Sequence, residues 1–343
     1  MINKIKKILY KKNLDGYLIP KNDKFFTEYT KISNLELVTN FSGSAGFAII
    51  LRKKNYLFVD GRYTIQAKKQ SGKLFKIFEI PFVWPKNIFK SQKNILNIGF
   101  DPKLFTYNSL KNYFSNSCNL IPINENLFSK KNNKKLSKNK FYNLNKKVTG
   151  ESSKSKINRV IKILNKKKID CLFISAGENV CWLMNIRGKD LPNSPIANCN
   201  VILTKDRKIY FFSKYEKILK IRKKFFKQKV FFHEEEKLFE IMRSIKYRSF
   251  CIDKLTCSVF NEEIIKSKFT IKENIDPIYY LKSIKNKTEI KNMMKSHIED
   301  GVALTKFIYW IKNINKKTIT EFEAQNKLEN FRKKNKEYLY PSF

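Results

Sequence analysis

The stretch Phe41–Ala67, FSGSAGFAIILRKKNYLFVDGRYTIQA, decides how the rest of the chain is read. It opens on a loop of small residues, Ser42-Gly43-Ser44-Ala45-Gly46. Two apolar runs follow, Phe47–Leu51 and Tyr56–Val59, parted by Arg52-Lys53-Lys54-Asn55. Short apolar runs on either side of a polar break predict a β-hairpin. The second run delivers Asp60-Gly61-Arg62-Tyr63 at the point where a strand ends and a helix begins. Gly43 and Gly46 allow backbone shapes and close approaches that a Cβ blocks. An arginine at a strand end offers a planar fork that holds a carboxylate or a peptide carbonyl. A tight turn with a surface ion pair accounts for the same residues.

Around this hairpin the chain reads as alternating helices and strands. Ile5–Lys12 has helical spacing, and Leu14–Pro20 is a buried strand closed by proline. Asn94–Phe100 is a further strand, ended by Asp101-Pro102, and Tyr107–Phe114 a short helix. Beyond Gly150 the pattern starts again. Ser155–Leu164 carries apolar residues at helical spacing, and Ile169–Ser175 matches Leu14–Pro20 in type and order. Asn200–Leu203 with Ile209–Ser213 repeats the hairpin, and Phe250–Asp253 with Val259–Lys266 repeats the later strand and helix. Leu14 and Ile169 stand 155 positions apart, Phe47 and Asn200 153, and Asp101 and Asp253 152. Three features in one order at one spacing predict a tandem duplication of an α/β unit. The Lys- and Asn-rich run Lys130–Asn145, almost without apolar pattern, is the linker between the copies.

From Asp276-Pro277 the character changes. Asn286-Lys287-Thr288-Glu289 caps a helix continued by Ile290, Met294, Ile298 and Val302 to about Ile311. Thr320-Glu321-Phe322-Glu323 is a capping box that starts a second helix, reaching about Lys334. Two helices and the beginning of a strand at Tyr338–Phe343 cannot close a core, so the third unit reads as cut off.

At 343 residues and 42% apolar composition the chain has material for two cores and part of a third. No apolar run is long enough to span a membrane, and Met1–Asn13 leads into no signal-type apolar segment. Six cysteines without a CxxC pair fit free thiols in a reducing cytoplasm. The formal charge of +41 invites a nucleic-acid reading, yet only nine of the 71 basic residues are arginine and the lysines are spread along the chain. A solvated lysine surface with weak, non-specific anion binding is expected, and no specific nucleic-acid partner.

Metal and catalytic signals are sparse. His233-Glu234-Glu235-Glu236 reads as the acidic first turn of a helix, and His297 with Asp300, at i and i+3, as a polar helix face. GxSxG, P-loop, HExxH and GxGxxG motifs are all absent, so the residues spell no complete active site.

Four segments carry a specific resemblance: Asp15–Asp23 (DGYLIPKND), the FSGSAG…VDGRYTIQA stretch, Asn179–Pro195 (NVCWLMNIRGKDLPNSP) and Ser283–Phe307 (SIKNKTEIKNMMKSHIEDGVALTKF). Gly150–Lys156 (GESSKSK) agrees with them. On these residues the chain resembles the Xaa-Pro aminopeptidases (aminopeptidase P) of the creatinase/prolidase-like metallopeptidases. The resemblance implies an α/β fold of two tandem creatinase-like N-terminal domains with mixed sheets, followed by the first helices of a pita-bread α+β catalytic domain. The expected boundaries are 1–130, a linker at 131–149, 150–275, and an incomplete 276–343. It further implies release of the first residue from peptides with proline second, two divalent metals (commonly manganese), homodimers and a cytoplasmic location. The family's metal ligands all follow the segment matching Leu339–Phe343. No catalytic residue and no metal ligand is therefore assigned here, no bound metal is expected, and the chain alone is expected to be inactive. Arg62, which matches the family's DGR arginine, is the expected peptide-binding residue. A non-catalytic binding or dimerisation protein of the same fold is the alternative.

Overall fold

The computed structural model describes residues 1–27, 29, 33–92, 94–125, 127–128, 139–225, 228–315 and 318–341. In the first unit the order is α1 (Ile2–Lys11), β1 (Gly16–Pro20), α2 (Asn34–Thr39), β2 (Phe47–Leu51), β3 (Asn55–Asp60), a 3₁₀ turn (Gly61–Tyr63) and α3 (Thr64–Ser71). β4 (Lys76–Ile80), α4 (Pro85–Phe89), β5 (Asn97–Phe100), α5 (Tyr107–Phe114) and β6 (Asn119–Pro122) complete it. β7 (Tyr142–Asn143) and α6 (Lys146–Thr149) lead into the second unit: α7 (Ser153–Lys166), β8 (Cys171–Ile174), α8 (Gly177–Met184), β9 (Ile186–Arg187), β10 (Asn200–Thr204), β11 (Ile209–Phe212) and α9 (Tyr215–Phe225). It continues with β12 (Val230–His233), a 3₁₀ turn (Glu235–Lys237), α10 (Leu238–Ser244), β13 (Ser249–Ile252), α11 (Val259–Lys266) and β14 (Thr270–Glu273). α12 (Pro277–Ser283), α13 (Lys287–Lys312) and α14 (Glu321–Arg332) follow.

Two six-stranded mixed sheets result, with one strand order: β4-β3-β2-β1-β5-β6 in the first and β12-β11-β10-β8-β13-β14 in the second. The tandem α/β organisation expected from the sequence is thus present. β1 is central and buried throughout, pairing antiparallel with β2 and parallel with β5. A strand covered on both faces has to be apolar on both, as GYLIP is. Tyr17 and Ile19 face the core built with Ile5 and Leu9 of α1, Val38 of α2 and Ala67 of α3. Leu18 faces the opposite core with Phe89 of α4 and Leu110 and Phe114 of α5. Across the hairpin Phe47 pairs with Phe58, their rings stacked at 4.8 Å, and Tyr113 stacks on Phe47 at 4.4 Å. Burying the Phe47 and Phe58 rings is worth about 1.5–3 kcal/mol each relative to exposure. The second sheet repeats the plan, Leu172 and Ile174 facing α7, α8 and α9 and Phe173 facing Met242 and Ile265.

The stretch read as linker lies partly outside the described residues (129–138); beyond them β7 pairs with β9, and Asn286 Nδ2 donates to the Thr149 carbonyl at the end of α6 (2.9 Å). The two units join at α11. Its first amides have no partner within the helix, and those of Val259 and Phe260 donate to the carbonyls of Phe105 (2.8 Å) and Pro102 (3.0 Å) in the first unit. The Val259 side chain completes the first unit's core. α13 starts on the expected capping box, Glu289 N–H to Asn286 Oδ1 (3.0 Å) and Asn286 N–H to Glu289 Oε2 (2.9 Å). Only Ala303 of its 26 residues is buried. α14 and the segment after it are held to α13 by polar contacts: Arg332 clasps Asp300 (2.6 and 3.2 Å), and Lys295 reaches Glu337 beyond the helix end (2.8 Å). The strand foreseen at Tyr338–Phe343 does not form over Tyr338–Pro341; Ser342 and Phe343 are outside the described residues.

Candidate functional site

β2 runs antiparallel to both β1 and β3, whereas β4 is parallel to β3, and β5 and β6 run with β1. The carboxyl ends of β1, β3, β4, β5 and β6 therefore share one edge of the sheet, and the loop entering β2 lies on that edge too. In α/β sheets of this kind that edge is where ligands bind. Here it carries Lys21 and Asp23 after β1, Ser42–Gly46 before β2 and Asp60–Tyr63 after β3.

Asp60 closes β3 and caps the turn that follows. Its Oδ1 accepts the Arg62 amide (3.0 Å) and Nε (3.1 Å), and its Oδ2 accepts Nη2 (2.7 Å). The Arg62 side chain's hydrogen bonds hold the Asp60 carboxyl below its usual range, against a smaller opposing effect of burial. Arg62 itself is exposed, its guanidinium 5.3 Å from the Tyr63 ring centre. The ion pair anticipated from the sequence is formed, and it presents the arginine to solvent at the sheet edge.

Packing shapes the loop beside it. Gly43 rests on the Phe41 ring, where a Cβ would come within 2.2 Å of Cζ; Gly46, at φ +145°, would bring a Cβ within 2.7 Å of the Phe58 carbonyl. Phe41 is fully buried and meets Tyr63 edge-on at 5.7 Å. The Tyr63 hydroxyl and Ser44 Oγ are hydrogen-bonded at 2.7 Å. Ser42 is tied to α3, its amide donating to Gln70 Oε1 (3.0 Å) and its Oγ accepting from Gln66 (2.9 Å) and Gln70 (3.0 Å). On the other side, the Lys21 amide donates to the Gly46 carbonyl (3.2 Å), and burial lowers the Lys21 ammonium against the opposing pull of Glu36 and Tyr63. The sequence reading missed Lys21, Gln66 and Gln70, because nothing in their spacing ties them to the glycine loop.

The second unit does not repeat this site. Phe47 pairs with Phe58 in the first hairpin and Asn200 with Phe212 in the second, so Asp60 and Arg62 correspond to Lys214 and Glu216. Its edge is also filled by α8 and α12. Asp276 accepts from Asn179 Nδ2 (2.8 Å) and the Ile278 amide (2.9 Å), its own amide donates to Asp253 (2.9 Å), and Lys282 donates to Asn179 (2.6 Å). Burial pushes the Asp276 carboxyl up to about 6.

The described residues do not fit a two-metal centre. His233 is half-buried between the rings of Tyr210 (6.2 Å) and Phe212 (5.8 Å), and burial lowers its pKa. Glu234 N-caps the 3₁₀ turn Glu235–Lys237 that precedes α10, so the acidic run does begin a helical turn. His297 Nδ1 faces the Met293 carbonyl (2.8 Å), and Asp300 is engaged by Arg332. No group of three His, Cys, Asp or Glu side chains suited to a metal ion occurs among the described residues. All six cysteines are free and buried, and no described helix is long and apolar enough to cross a membrane.

Comparison with known proteins agrees with this architecture. The creatinase/prolidase N-terminal domain is matched twice, over residues 1–128 and 132–289. A probable Xaa-Pro aminopeptidase P of Laccaria bicolor is 29% identical, covering 96% of this chain and 54% of its own length. Xaa-Pro aminopeptidase 1 of Dictyostelium discoideum is 27% identical, covering 100% and 58%. A probable Xaa-Pro aminopeptidase P of Paracoccidioides brasiliensis is 30% identical, covering 99% and 60%. The chain thus spans little more than half the length of these relatives. The crystal structure of an X-prolyl aminopeptidase of Caenorhabditis elegans, described as a cytosolic enzyme with a di-nuclear active site, shares the fold at a TM-score of 0.89 and 23% identity, over 100% of this chain and 60% of its own. Two consecutive domains of one family thus account for residues 1–128 and 132–289, and the chain belongs to the creatinase/prolidase family, similar along its length to the Xaa-Pro aminopeptidases.

Proposed function

We propose that this chain is the scaffold and peptide-recognition portion of a metal-dependent Xaa-Pro aminopeptidase, an enzyme that frees the first residue of peptides with proline second. Support comes from the end-to-end similarity to Xaa-Pro aminopeptidases together with Arg62, held by Asp60 at the sheet edge beside a glycine loop. Proline as second residue removes a backbone N–H and fixes φ, so recognition must rest on carbonyls and chain ends. A guanidinium has the donor geometry for that task. In this reading Asp60 orients Arg62, Arg62 engages a peptide carbonyl, and the Ser42–Gly46 loop shapes the approach. Residues 276–341 begin the pita-bread catalytic domain. The paired metals, manganese by resemblance, are not held by the described residues, so no hydrolytic step is assigned to them. The protein acts in the cytoplasm as a homodimer.

The test is turnover of an Ala-Pro-Ala peptide with manganese present. The chain of 343 residues is expected to be inert, and Arg62→Ala is expected to weaken turnover in a longer form bearing the metal ligands. Robust hydrolysis by the 343-residue chain, or unchanged kinetics of the variant, would overturn the reading.

A further inference from the structure

We propose that Lys21, with the Ser44–Tyr63 hydroxyl pair, forms a carboxylate-binding subsite beside Arg62 that takes the C-terminal carboxylate of a short peptide. Lys21 is 8% exposed, so its stem is sealed into the protein. Its backbone is pinned by the bond from its amide to Gly46 (3.2 Å), which places it against the glycine loop. An ammonium on so buried a stem is partly desolvated, and an anion or several acceptors favour it there. Other shielded lysines of this chain have them. Lys156 donates to the Trp182 carbonyl (3.1 Å) and Asn185 Oδ1 (2.8 Å), Lys217 to Asp190 (2.5 Å) and Lys282 to Asn179 (2.6 Å). Neither a hydrogen bond nor an ion pair to the Lys21 ammonium is found among the described residues. Glu36 and Tyr63 act on it electrostatically, and Glu36 is exposed.

What else lies on this sheet edge selects the ligand. The Ser44 and Tyr63 hydroxyls lie 2.7 Å apart and share one proton between them. The second proton of the pair is then available to an incoming acceptor. Donors from an ammonium and a hydroxyl suit a small anion with two oxygens, while the Arg62 guanidinium, 5.3 Å from the same Tyr63 ring, is left to a peptide carbonyl. The corresponding position in the second unit, 155 residues on from Lys21, is Ala176, so the feature belongs to the first unit alone. This inference rests on the peptide-recognition reading and adds to it the part of the peptide that is gripped.

The experiment compares Ala-Pro-Ala with its C-terminal amide by NMR titration of the full chain. The free acid is expected to bind about tenfold more tightly, the scale of one charge-assisted contact. Lys21→Met should abolish that preference while leaving the affinity for the amide in place. Ser44→Ala should reduce the preference without removing it, and it guards against a folding effect at Lys21. Arg62→Ala should weaken acid and amide alike, which separates failure of the peptide reading from failure of the subsite. Equal binding of acid and amide overturns the subsite. If neither peptide binds, hippurate serves as a bare carboxylate probe, and a lack of Lys21-dependent binding again overturns it. Lys21-dependent binding of inorganic phosphate that is tighter than hippurate overturns the assignment to a carboxylate.

Discussion

Asp276 offers the sharpest quantitative prediction. It is 2% exposed at the start of α12, where it caps the Ile278 amide (2.9 Å) and stands beside Asp253, which also raises its pKa. Burial lifts its carboxyl from 3.8 to about 6. The folded-state value lies above the unfolded one, so the stabilisation is complete below about pH 4 and is lost as pH rises through 6. At 1.36 kcal/mol per unit, ionised Asp276 costs the fold about 3 kcal/mol at neutral pH. Asp276→Asn removes the charge and keeps an oxygen for the Ile278 cap. It also turns the bond from Asn179 into a meeting of two donors, at a cost of about 1 kcal/mol. The variant should therefore be more stable than wild type by about 2 kcal/mol at pH 7.5 and less stable by about 1 kcal/mol at pH 4. Urea unfolding followed by tryptophan fluorescence, with Trp84 and Trp310 replaced by Phe so that Trp182 of the neighbouring α8 reports, measures this at a series of pH values. A difference between variant and wild type that stays constant from pH 4 to 7.5 would refute the reasoning.

Further predictions follow the same contacts. Gly150 adopts φ +71°, and a Cβ there would lie 2.2 Å from Asn286 Oδ1. Gly150→Ala should thus speed amide exchange at the start of α13 while the second unit's core stays protected; unchanged exchange at residues 286–290 would contradict it. Val259→Ala removes two methyl groups from the first unit's core, costing about 1–2 kcal/mol, and should lower the unfolding midpoint of the first unit before that of the second. Coincident, unshifted transitions would count against the α11 junction. Arg62→Ala should change stability by less than about 1 kcal/mol, as befits an exposed ion pair, while the Asp60 carboxyl moves up toward its ordinary pKa in an NMR titration; an unmoved Asp60 would count against the pairing.

How much of this was legible in the sequence depends on where each strand sits. Central strands such as Gly16–Pro20 and Phe47–Leu51 are buried and apolar, so their residues announce them. The outer strands Lys76–Ile80, Asn119–Pro122 and Thr270–Glu273 are largely half-exposed or exposed, and carry charged or polar residues among the apolar ones. Pairing with a neighbour, rather than local pattern, makes them strands. Arg62 was readable because Asp-Gly-Arg follows an apolar run. Lys21 was not, since only the fold brings the end of β1 against Gly46. The caps of α13 and α14 were readable because each is a local exchange of hydrogen bonds. Ile290, Met294, Ile298 and Val302 along α13, whose spacing marks the helix, are exposed.

Peptide binding at one sheet edge, that of the first unit, is what we propose. Backbone NMR shifts on titration with Ala-Pro-Ala test it directly. Perturbations gathered at residues 20–23, 42–46 and 60–63 are the predicted result. Perturbations centred on residues 175–179 and 214–216 of the second unit, or none at saturating peptide, would contradict it.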